Sequence, residues 1–182
     1  KNAILIGQIS RLAPVKNAKA TLEAAKILEN QFPNAHFVFV GDGESRARLG
    51  QLAGELGLQN RAHFLGIRAD IARLNLAFDC VVLPSFQEGT PVSIIESLGA
   101  ARPVIASNVG GVSRLISHEK TGFLLEIPDA KNLAKAISRV LNESETAQKC
   151  GEAGRESVRK DWSLEANLRR HREIYREVLG EK

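Results

Sequence analysis

Residues 79–108 hold the stretch that most narrows what this chain can fold into. Cys80-Val81-Val82-Leu83 is a continuous apolar run, the pattern of a short strand covered on both faces. Pro84 ends it, and Ser85 to Gly89 read as a loop. Thr90 offers a hydroxyl at a helix N-cap, Pro91 suits the first helical position, and the helix is expected to run to about Ala101. Pro103 then opens another apolar strand. This order delivers a helix N-terminus to the end of a sheet. Unpaired N–H groups and the helix dipole suit such an end to a phosphate.

Two carboxylates bracket that helix start. Glu88 lies in the loop before the cap, and Glu96 is the sixth helical residue if Pro91 is the first. Helical side chains lean toward the N-terminus, so both glutamates can face one pocket from different depths. A plainer reading has Glu88 complementing the helix dipole and Glu96 on a solvated face. For the pair of glutamates alone the plainer reading is favoured, because short motifs arise often by chance.

The rest of the chain repeats the strand-then-helix rhythm. Ala3 to Ile9 is an apolar strand leading into the loop Ser10-Arg11-Leu12, and Asn17 caps a helix expected to reach about Gln31. Ala35 to Val40 is a second strand ending at Gly41-Asp42-Gly43-Glu44. Gly-x-Gly between strand and helix invites a dinucleotide reading, but Arg46 stands where a third glycine belongs. No acidic residue follows at about 20 positions to hold a ribose, which weakens a nicotinamide oxidoreductase. Asp42 is read as support for the turn rather than half of a metal pair with Glu44.

A helix over about 44–56 leads to a short strand and turn at Ala62 to Gly66, in which His63 reads as a satisfied sheet residue. A short helix from Asp70 to Phe78 feeds the central unit. Beyond that unit come the turn Val109-Gly110-Gly111, a helix to Ser117 and a strand at Thr121 to Leu125. Three helices follow: one started by Pro128-Asp129, one over 144–160, and an arginine-bearing final helix of about 164–180. The alternation predicts an α/β fold, a doubly wound, Rossmann-like parallel sheet with helices on both faces. Ligands of such sheets bind beyond the carboxyl ends of the strands. Arg11, Lys16, Gly41, Ile67, Glu88 and Thr90 all fall just past expected strand ends, so one crevice can hold them. Taken without the rest of the pattern, Arg11 and Lys16 read as ordinary solvated loop charges.

Glu88-Gly89-Thr90-Pro91 followed by Glu96, with seven residues between the glutamates, resembles the signature of family 4 glycosyltransferases, retaining enzymes of the GT-B fold. Pro84-Ser85 before it, and Arg102-Pro103-Val104-Ile105-Ala106 with Val109-Gly110-Gly111 after it, are similar to that family as well. The family's glycine-arginine-leucine turn and later lysine-glycine stand here as Ser10-Arg11-Leu12 and Lys16-Asn17; both glycines are replaced and both cations kept. The resemblance implies the C-terminal, nucleotide-sugar-binding half of a GT-B enzyme, residues 1–182 forming one donor domain without an N-terminal acceptor domain. It implies Glu96 on the ribose hydroxyls, Glu88 on the transferred sugar, and Arg11, Lys16 and the junction Gly89, Thr90, Pro91 and Val92 on the diphosphate. The glycines Gly41 and Gly43 would admit the nucleotide close to the backbone, and Ile67 would line the base pocket. A UDP-sugar donor is expected as substrate, with no metal and no resident cofactor; the acceptor is not legible.

Composition bounds the alternatives. At 182 residues with 43% hydrophobic and 25% charged residues, the chain can build one well-cored domain. A net charge of +4 admits an anionic ligand without indicating nucleic acid. Cys80 and Cys150 suggest neither disulfide nor zinc, and a reducing, cytoplasmic setting is expected. With no initiator Met and an immediate core strand, the chain reads as an excised piece, and membrane association is expected only through the absent half. Two other functions remain open: a non-catalytic nucleotide-binding module, and a two-carboxylate glycosidase with acids roughly 5–9.5 Å apart.

Overall fold

The computed structural model describes residues 3–180. Six strands, β1 (Ile4–Ile9), β2 (Ala35–Val40), β3 (Ala62–Phe64), β4 (Cys80–Leu83), β5 (Val104–Ser107) and β6 (Phe123–Leu125), form one sheet in the order β3-β2-β1-β4-β5-β6. All neighbouring pairs are parallel, with Ile9 opposite Val40, Ile6 opposite Cys80 and Leu83 opposite Ala106. The strand order reverses between β1 and β4. That reversal opens a crevice at their carboxyl ends, because the following connections leave toward opposite sides.

The described residues also form eight α-helices: α1 (Ala18–Ile27), α2 (Arg46–Glu55), α3 (Ile71–Ala77), α4 (Val92–Gly99), α5 (Val112–Leu115), α6 (Ala130–Asn142), α7 (Ser144–Asp161) and α8 (Leu164–Leu179). Alternate strand residues point to opposite faces, and each face has its own core. On one, Ile6, Phe37, Phe39, Cys80, Val82 and Ile105 pack with Leu22 of α1 and Leu133 and Ile137 of α6. On the other, Val40, Val81, Leu83, Val104 and Ala106 pack with Ile94 and Leu98 of α4 and Leu115 of α5. Cys80 is fully enclosed, and burial pushes its thiol up to about 12, so it is core filler rather than a nucleophile. Among the described residues, no helix is long and apolar enough to cross a membrane.

Helix ends differ from expectation where backbone geometry overrides side-chain type. Thr90 does not cap α4: Pro91 holds the N-cap position with an extended backbone, φ −72° and ψ 111°, and the helix proper starts at Val92 and stops at Gly99. Glu96 is therefore its fifth residue, not its sixth. Asn17 precedes α1 but accepts no capping bond from it; its amide donates instead to the Pro128 carbonyl at 2.7 Å. That helix ends at Ile27, short of Gln31. Asp129 does cap α6, accepting from the Asn132 amide at 2.7 Å, and Ser163 caps α8 through the Ala166 amide at 3.2 Å. The apolar residues of α8 are largely exposed, Val178 at 77% among them.

Candidate functional site

Two loops face each other across the β1/β4 reversal. The first, residues 10–17, leaves β1; it is tied to the next connection by Leu12 N–H to Asp42 O at 2.9 Å and Ser45 N–H to Leu12 O at 2.8 Å. Its last turn, Pro14–Lys16, is a short 3-10 helix, after which Asn17 takes the left-handed conformation, φ 52° and ψ 38°. Asparagine tolerates that region better than most side chains, so this left-handed turn forms without the glycine of the lysine-glycine pattern. The second loop, residues 84–91, leaves β4 and is joined to the first by Phe86 N–H to Val15 O at 2.8 Å.

A side-chain pair then closes the crevice. Lys16 Nζ donates to Glu88 Oε1 at 2.7 Å and to Oε2 at 2.8 Å. The Glu88 side chain is 6% exposed and that of Lys16 23%. A carboxylate so covered needs a cation beside it, and Lys16 is that cation. The turn beyond β5 supports the loop from behind. Gly111 N–H donates to Gly89 O at 2.9 Å, and Gly110, at φ 54°, packs so closely that a Cβ there would overlap the Glu88 carbonyl oxygen. Gly41 is constrained in the same way: at φ 127°, its missing side chain leaves room for the Ser10 carbonyl.

The resulting groove, about 420 Å³, is lined by Arg11, Lys16, Gly41, Ile67, Glu88, Pro91 and Val92, all anticipated from sequence. Ser93 and Arg68 line it too and were not anticipated. Val92 and Ser93 are the first residues of α4, so the positive end of that helix opens onto the groove. Arg68 is held by Asp70 through two contacts of 2.8 Å, and that bond keeps the Asp70 carboxyl below its ordinary value. A short-range basic–acidic spacing, Arg68-x-Asp70, was the available signal for it. Arg11 is the looser cation: its side chain is 68% exposed, with Glu44 at 4.0 Å.

Four anticipated residues stand outside the lining. Gly43 lies in the adjacent turn, its amide donating to Asp42 Oδ1 at 2.7 Å. Gly89 and Thr90 are exposed at the loop's outer edge. Glu96 is exposed on α4, one turn on from Val92 and Ser93, and so extends the groove's lip rather than its wall. A larger groove of about 890 Å³ runs between α1 and α2. Its charged lining is Lys19 and Arg48 with Glu23, Glu55 and Asp129, more carboxylates than cations, and includes none of the switch-point cations. Among the described residues, no group of three His, Cys, Asp or Glu side chains is placed to hold a metal ion.

Known proteins share this fold. The family model described as "Glycosyl transferases group 1" matches residues 1–157. An Escherichia coli enzyme named UDP-Gal:alpha-D-GlcNAc-diphosphoundecaprenol alpha-1,3-galactosyltransferase is 38% identical over 146 residues, 79% of this chain and 38% of that protein. A glycosyltransferase structure from Rickettsia africae ESF-5 superposes with a TM-score of 0.92 at 29% identity, covering 100% of this chain and 49% of that one. The Anabaena protein Alr3699/HepE, solved in complex with UDP-glucose, gives a TM-score of 0.88 at 28% identity over 96% of this chain and 49% of that one. The chain thus spans about half the length of these three proteins, or less. With the doubly wound sheet of GT-B glycosyltransferases and a family match across most of its length, the chain belongs to the group 1 glycosyl transferases.

Proposed function

We propose that this chain is the donor-binding domain of a retaining glycosyltransferase, taking a nucleoside diphosphate sugar, with UDP as the nucleotide. The observation that carries the reading is the meeting of Lys16, Arg11 and the α4 N-terminus at the switch between β1 and β4, with Glu88 held among them. Cations and helix amides at one point suit a diphosphate. Relatives whose names or structure titles carry UDP or UDP-sugars support the choice of base.

The chemistry follows from where charge grows. Breaking the bond between the sugar's anomeric carbon and the diphosphate oxygen leaves negative charge on the departing phosphate. Lys16, Arg11 and the first amides of α4 stabilise that charge without needing a divalent ion. Glu88 accepts hydrogen bonds from sugar hydroxyls, and Glu96, reached along the lip, accepts them from the ribose. Transfer with retention takes place on the one sugar face left open. The acceptor belongs to a separate half of the enzyme, so transfer by this chain alone is expected to be negligible.

A glycosidase reading is less well supported, because Glu88 lines the groove and Glu96 does not, and Glu88 is already engaged by Lys16. Isothermal titration against UDP, UDP-sugars, GDP, ADP and NADH tests the proposal. Preferential binding of UDP and its sugar conjugates supports it, while preference for NADH or no nucleotide binding contradicts it. Turnover of a UDP-sugar by the enzyme containing this domain, with the anomeric configuration kept, separates an enzyme from a non-catalytic binding module.

A further inference from the structure

Gln8 is a polar residue in the middle of an apolar strand, β1, and is only 1% exposed. Burying a primary amide costs stability unless both its donors and its acceptor find partners. Here they do. Gln8 Nε2 donates to the Lys16 carbonyl at 3.0 Å and lies 3.4 Å from Ser10 Oγ, while Oε1 accepts from Thr21 Oγ1 at 2.7 Å. Thr21 sits on α1 and is 1% exposed as well. One enclosed side chain thus ties together both ends of loop 10–17, at Ser10 beside Arg11 and at Lys16 itself.

This inference rests on the donor-site reading above. We propose that Gln8 is a positioning residue for the diphosphate. Without touching ligand, it fixes the Lys16 main chain so that Lys16 Nζ stays within reach of both Glu88 and the groove. The other side chains of β1 are apolar or absent; Gln8 instead makes three directed contacts, two to the loop that carries the cations and one to Thr21 of α1. Its removal should therefore change phosphate affinity and leave recognition of the nucleoside intact.

The test compares UDP with uridine by isothermal titration in Gln8→Leu, Lys16→Ala and the double variant. Gln8→Leu is expected to weaken UDP about tenfold and uridine less than about twofold. In the Lys16→Ala background the same change should add almost nothing, since its effect passes through Lys16. Equal loss for UDP and uridine, an unchanged UDP affinity, or full additivity with Lys16→Ala overturns the inference. Should Gln8→Leu fail to fold, Thr21→Val releases the amide while keeping side-chain volume, and it must show the same selective loss, smaller in size. A parent chain that binds no UDP overturns the donor reading and this inference with it. A parent that loses UDP through Lys16→Ala but not through Gln8→Leu or Thr21→Val overturns this inference alone.

Discussion

Lys16 Nζ holds both carboxylate oxygens of Glu88, at 2.7 and 2.8 Å, across seventy-two positions of sequence. The contact joins the loop after β1 to the loop after β4, and Glu88 has little solvent to turn to if it is lost. Lys16→Ala is expected to lower stability by about 1–3 kcal/mol, the cost of a covered charge left without its partner. Adding Glu88→Ala to that variant should cost much less than Glu88→Ala does alone. Urea unfolding of the four proteins decides it; strictly additive losses would mean the pair is not coupled.

The same contact makes the two glutamates separable by ligand. Glu88→Gln removes the charge that occupies Lys16, so free UDP should bind at least as tightly as to the parent while a UDP-sugar binds more weakly. Glu96→Ala should weaken both ligands alike, by about 1.5–3 kcal/mol, through lost charged hydrogen bonds to the ribose. Parallel losses in both variants would show that the roles are assigned wrongly.

Much of this arrangement is legible in the sequence. The apolar run Cys80–Leu83 is a strand, as its pattern predicts, because Asp79 bounds it on one side and Pro84 on the other. The loop charges Arg11, Lys16 and Glu88 do share one groove, because α/β topology sends every strand's carboxyl end the same way. The start of α4 was misplaced by a residue, since the extended ψ of Pro91 cannot be read from its being a proline. Asn17 was expected to cap, and it adopts a left-handed turn whose amide is claimed by Pro128, a partner more than a hundred positions away. Gln8 went unread because patterning treats one polar residue in an apolar strand as noise. Its meaning lies in Thr21 and Lys16, which the fold brings beneath it. The Lys16–Glu88 pair was out of reach for the same reason.

A pH dependence follows from two histidines on neighbouring strands. His36 Nδ1 lies 3.0 Å from His63 Nε2, and burial, then the nearby His36, hold His63 below the ordinary histidine value of 6.5. The unfolded chain therefore takes up that proton more readily than the folded one. This contribution is complete above about pH 6.5 and is lost as pH falls below it. His63→Gln should flatten the decline in Tm between about pH 7 and pH 5.5. Identical slopes for parent and variant would remove the pair from the account.

Glycines at positive φ should differ according to what surrounds them. Gly110 at φ 54° packs on the Glu88 carbonyl, whereas Gly57 at φ 73° has nothing within 4 Å of where a Cβ would sit. Gly57→Ala should cost about 1 kcal/mol of backbone strain. Gly110→Ala should cost that and more, about 2–4 kcal/mol, because the loop carrying Glu88 must move. Equal costs in thermal unfolding would mean that the close approach is unimportant.

The central claim is that a nucleoside diphosphate lies at the β1/β4 switch and is held there by side chains and helix amides. Backbone amide NMR during a UDP titration, with and without EDTA, tests it most directly. The account predicts that shifts cluster at Arg11, Lys16, Gly41, Ile67, Glu88, Val92 and Ser93, and that chelator changes neither their pattern nor the affinity. Shifts centred instead on the larger groove between α1 and α2, at Lys19, Leu52 and Glu55, or binding abolished by EDTA, would contradict it.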